Sequence, residues 1–125
     1  MLEGIDSQIL SVYNGGSGNK RVISLEIKKG KMIVYPDSDE IQFILEESKS
    51  MYSEPNENEF YRDGNVFIKT TEVGDNYKVI LKLDYKDIYD IQTEDGTNLE
   101  MAKSSSKYEL TIANKGGKVI EIKKV

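Results

Sequence analysis

The sequence predicts an all-β fold: an antiparallel β-sandwich of about eight or nine strands, entered through one short N-terminal helix. Three observations carry this reading. From Arg21 to Val125 the apolar residues recur at every second position, the period of a strand with one buried face. The runs are short and are bounded by Gly, Pro, Asn and Asp at near-regular spacing, as in sandwiches and barrels. Only the first stretch departs from this period, with Leu2, Ile5, Ile9, Val12 and Tyr13 at spacings of three and four.

That spacing places the five residues on one face of a helix. Asn14-Gly15-Gly16 then supplies residues that accept positive φ, a natural stop, and Ser17-Gly18-Asn19 continues as a flexible connector. A helix of about three turns is marginal alone and needs a partner surface. The domain division that follows is 1–19 for the helix and its Gly/Ser/Asn linker, and 20–125 for the sandwich.

The strands follow in order. Ile23, Leu25 and Ile27 alternate with Ser24, Glu26 and Lys28, and Gly30-Lys31 turns the chain into Met32–Tyr35. Pro36-Asp37-Ser38-Asp39 stops that strand, and Ile41, Phe43 and Leu45 form the next. Ser48 to Asn58 is polar, contains Pro55 and predicts a long loop with room for a short strand near Met51–Tyr52. Arg62-Asp63-Gly64-Asn65 is a turn with Asp-Gly at its centre, followed by a strand over Val66–Thr71. After Gly74-Asp75-Asn76 comes the longest alternation, Tyr77, Val79, Leu81, Leu83 and Tyr85. Ile88 and Ile91 flank a short strand before Glu94-Asp95-Gly96, and Leu99 and Met101 mark another. Tyr108, Leu110 and Ile112 predict a strand, Asn114-Lys115-Gly116-Gly117 a hairpin turn, and Val119–Val125 the closing strand.

At 125 residues the chain is one domain by size and can bury a core without staples. It has no cysteine, so there is neither a disulfide framework nor a thiolate zinc site. It has no histidine, which removes the imidazole base and the Ser-His pair. A net charge of −5 argues against nucleic acid as a partner. The charge is uneven: Asp37 to Asp63 carries nine carboxylates against Lys49 and Arg62, while Lys103 to the end carries six lysines against Glu109 and Glu121. Solvated loops and lysine-guarded edge strands explain this most simply. Head-to-tail attraction between copies is the sharper alternative.

Catalytic and metal constellations are thin. Asp84, Asp87 and Asp90 stand three apart at a strand end, where they would not all point one way, and they read as turn acids. Asp37-Ser38-Asp39-Glu40 and the Glu94–Asn98 stretch are oxygen-rich but lack the twelve-residue calcium loop. Gly15-Gly16-Ser17-Gly18 lacks the Lys-Ser/Thr of a phosphate loop, and no Asn-X-Ser/Thr acceptor occurs. Eight tyrosines suit boundary positions of a sandwich. No catalytic residue, cofactor or metal site is assigned.

Taken together, Leu2–Tyr13 as a helix end, Asn14–Asn19 as a linker, the hairpin Arg21–Ile27 to Met32–Val34, Glu40–Leu45, Tyr61–Val66 and the ending Tyr108–Val119 resemble the soluble headpiece of archaeal type IV pilin-like proteins. Those are made with class III signal peptides. The resemblance covers the whole chain as a pattern. It implies a non-enzymatic structural domain, displayed at the cell surface outside the cytoplasm. An upstream apolar helix, of which Leu2–Tyr13 would be the last turns, would anchor it in the membrane. The partners would be copies of itself or other envelope proteins, and the contact surface an exposed stripe of Leu2, Ile5, Ile9, Val12 and Tyr13. A ligand-binding sandwich for carbohydrate or calcium is the alternative. It expects exposed tyrosines on a concave face, or acids converging near Asp37.

Overall fold

The structure, a computed structural model, describes residues 1–56 and 58–125. Glu57, one of the acids of the expected long loop, lies outside them. One helix, α1 (Leu2–Asn14), is followed by β1 (Lys20–Leu25), β2 (Lys31–Tyr35), β3 (Glu40–Ser48), β4 (Tyr61–Asp63), β5 (Val66–Val73), β6 (Asn76–Asp84), β7 (Asp90–Gln92), β8 (Leu99–Ala102), β9 (Tyr108–Gly116) and β10 (Val119–Lys124). They form a four-stranded sheet in the order β1-β9-β10-β7 and a six-stranded sheet in the order β4-β5-β6-β3-β2-β8. The predicted sandwich class is the one observed. The short strand anticipated near Met51–Tyr52 does not form, and β4 appears where only a turn was expected.

Register explains the core. Ile122 lies opposite Ile112, and Ile23 opposite Leu110, on the inner face of the smaller sheet. On the larger sheet Val34 lies between Ile41 and Leu99, and Ile41 faces Leu83. Ile112, Ile122, Leu110, Val34, Ile41 and Leu83 belong to one buried cluster that also contains Leu2, Ile5, Ile9 and Val12, and Ile23 and Leu99 pack against it. The helix is therefore part of the sandwich core, and 1–19 is not a separate layer outside it.

Pairing is antiparallel except at one seam, where β7 runs parallel to β10 through Asp90–Val119, Ile91–Ile120 and Gln92–Glu121. A parallel pair needs a long crossover, and the chain supplies it by passing through β8 and β9 between the two strands. Gly30 holds the β1–β2 connection at φ +73, and a Cβ there would run into the Ile44 carbonyl oxygen. Only glycine satisfies both constraints.

Candidate functional site

The features with the most organised chemistry are the seat of α1 and the cleft at the open end of that helix. The spacing of three and four aligns Leu2, Ile5, Ile9 and Val12, and all four are 3% exposed or less. They pack against β9, with further contacts to β6 and β1. Burying each such side chain contributes roughly 1.5–3 kcal/mol, more than a helix of this length gains by itself.

This corrects one expectation. The stripe of Leu2, Ile5, Ile9 and Val12 is not an exposed partner surface, because the two sheets of the same chain cover it. Tyr13 is half-buried and also faces inward, its ring centroid 5.0 Å from that of Tyr89, which in turn lies 5.4 Å from Tyr85. Among the large apolar residues of the helix and its cap, only Met1 and Leu10 are exposed.

Polar bonds fasten the helix at two further points. Midway, the Asp6 carboxylate accepts a hydrogen bond of 2.7 Å from the Tyr85 hydroxyl and one of 2.9 Å from Asn65 Nδ2. Burial, together with the Asp6 carboxylate beside it, pushes the Tyr85 hydroxyl far above the ordinary phenol range. Tyr89 is raised too, first by burial and then by Tyr13 and Asp6. At the C-terminal end Asn114 Nδ2 donates to the carbonyl oxygens of Val12 (3.4 Å) and of Tyr13 (3.2 Å), the latter also accepting from the Gly16 amide, among the acceptors that lack a partner within the helix. The Asn114 backbone also binds the linker, accepting from Gly18 N–H and donating to the Asn19 carbonyl. Its side-chain oxygen accepts from Gly116 N–H at 2.9 Å. Gly15 itself is helical, and Gly16 takes the left-handed turn at φ +87.

Asn114 and Asp6 are the residues that sequence reasoning missed. The signal for Asn114 was present: Leu110, Ile112 and Asn114 share one face of the strand, so an amide stands where an apolar residue is due. Asp6 has no such signal, since its partners are brought to it by folding.

The other acids serve as turn and latch groups. Asp39, at φ +56, accepts from the Ile91 N–H through Oδ1, tying the β2–β3 turn to β7. Asp37 is exposed. Asp84 Oδ1 accepts from Lys86 N–H, and Asp95 from the amide and hydroxyl of Thr97, bonds that hold the Asp95 carboxyl below its ordinary pKa. No group of three or more acidic side chains is gathered to hold a metal ion among the described residues.

Beside Met1 a cleft of about 960 Å³ opens between the β1–β2 connection, the end of β3 and the end of β8. Phe43 and Ala102 contribute apolar surface over the buried Ile27 and Leu45, and Lys28, Lys29, Lys31, Lys49 and Lys103 line it together with Glu26, Glu46 and Glu47. Among the described residues no helix is long and apolar enough to cross a membrane. Compared with protein-family models, curated proteins and solved structures, the chain matches none of them.

Proposed function

We propose that the chain is a non-enzymatic structural headpiece of a pilin-like cell-surface protein, displayed outside the cytoplasm, whose partners are copies of itself or other envelope components. The observation that carries this reading is the way α1 is held. Its apolar stripe, Asp6 and its C-terminal carbonyls are all fastened to the sandwich. Its first turn has no side-chain cap, and Met1 is exposed beside the cleft. A helix fastened by its apolar stripe, by Asp6 and at its C-terminal carbonyls is a stiff mount on the sandwich. With the stripe occupied internally, contacts to neighbours fall to the outer faces and edges of the sheets.

The test is surface labelling of intact cells that express the complete reading frame, using an amine reagent that does not cross membranes, followed by fractionation. Labelled protein in the membrane or filament fraction is expected. Unlabelled protein released with the cytosol would refute the reading.

A further inference from the structure

We infer that the cleft at the open end of α1 is a contact surface for an anionic lipid headgroup layer. The inference takes its setting from the headpiece reading, in which this end of the helix faces the membrane. Its chemistry stands on separate observations. Three large exposed apolar residues stand here: Met1 is 46% exposed, Met51 52% and Tyr52 50%. Met1 and Tyr52 line the cleft, and Met51 stands between the lining residues Ser50 and Tyr52.

Around them stand five lysines, against three glutamates, on a chain whose net charge is −5. Lys28 lies 3.9 Å from Glu26, and Lys31 lies 3.8 Å from Glu100. Lys49 donates to the neutral Asn76 amide oxygen at 2.6 Å. Lys29 and Lys103 have no carboxylate within salt-bridge distance among the described residues.

Apolar side chains with an amphipathic tyrosine, set among lysines, match an interface that is hydrocarbon below and anionic above. Lysine stems lie along apolar surface while their ammonium groups reach outward. An acidic protein partner would pair with the lysines and could also pack on Met51 and Tyr52, so binding to vesicles is what separates it from lipid.

Flotation of the purified chain with phospholipid vesicles tests this. Vesicles with about a third phosphatidylglycerol should carry the protein upward at low salt, phosphatidylcholine vesicles should not, and added salt should release it. Lys29→Glu with Lys103→Glu should lower the bound fraction about tenfold, and Met51→Ser with Tyr52→Ser severalfold. All four positions are exposed, so circular dichroism and Tm should stay unchanged. Lys118→Glu, away from the cleft, serves as the control. Absence of flotation on anionic vesicles would sink the inference, as would an equal loss with Lys118→Glu. Binding to soluble poly-glutamate that ignores the Met51/Tyr52 pair would reassign the lysines to an acidic protein and overturn the lipid assignment. Surface labelling without vesicle binding would remove this inference alone and leave the headpiece reading standing.

Discussion

Two of the stretches outside the strand ladders, α1 and the segment from Lys49 to Phe60, are held in opposite ways. The helix places four apolar side chains in the common core. The segment is anchored chiefly through one buried hydroxyl, Thr70, whose Oγ1 accepts from the Ser53 amide at 3.2 Å and shares a hydrogen bond of 3.0 Å with the Ser53 hydroxyl. The Pro55–Thr70 bridge, the Asn56 amide donating to the Thr70 carbonyl at 2.8 Å, Lys49 donating to Asn76 Oδ1 and Phe60 lying 4.1 Å beneath the Lys82 ammonium add to the attachment. Periodicity makes the difference. Apolar residues at helical spacing give one continuous face to bury, whereas Met51 and Tyr52 stand side by side with no repeat and stay in solvent.

If that contrast is right, damage to the helix seat should cost the whole domain, and damage to the loop anchor should stay local. Ile9→Ala should cause the largest loss, about 3–4 kcal/mol in urea unfolding, because a fully buried side chain leaves a cavity between helix and sheets. A cost below about 1 kcal/mol would mean that the helix is dispensable to the core. Asn114→Ala should cost roughly 2 kcal/mol by leaving the Val12 carbonyl and the Gly116 amide without their side-chain partner and the Tyr13 carbonyl with only its bond from the Gly16 amide. Hydrogen exchange should show the last turn of α1 opening first.

The tyrosine cluster adds a pH arm. Tyr85 and Tyr89 are both held neutral in the folded chain beyond the pH at which a free phenol ionises. Their contribution is complete below about pH 10 and declines as pH rises further, since the unfolded chain releases protons that the folded chain keeps. Tyr85→Phe should therefore flatten the alkaline fall in stability by up to about 1.4 kcal/mol per pH unit above pH 10. Identical slopes in the two proteins would show that Tyr85 ionises freely in the fold. The smallest effect belongs to the loop: Thr70→Val should cost about 1 kcal/mol or less in global unfolding. It should raise proteolytic cleavage between Lys49 and Phe60. If the global loss matched that of Ile9→Ala, the two attachments would not differ in kind.

The strands were legible because runs of alternating or continuous apolar residues between turn signals mark segments that bury a face. Ile41, Leu83 and Ile112 fall on the apolar side of their alternations and are buried. Three features were not legible. The parallel seam of β7 with β10 joins residues almost thirty positions apart, and no local pattern encodes a pairing at that distance. Strand β4 carries Tyr61, Arg62 and Asp63, all exposed, so it has no apolar alternation to detect. The lysine-lined cleft gathers residues from four separated parts of the chain, Met1, Lys28–Lys31, Phe43–Tyr52 and Ala102–Lys103.

By itself the sequence determined the class of fold, the extent of most strands and the amphipathic character of the first thirteen or so residues. Those properties follow from spacing, which is local and survives in the unfolded chain. Tertiary structure alone decided what that amphipathic face would meet. The same stripe would serve equally well against a neighbour or against the chain's own sheets. The choice fell to the groove beside β9, where Asn114 and Tyr85 complete the polar contacts that a partner in solution would have had to supply. Seating within the chain wins because the short linker keeps the helix at high effective concentration over its own groove.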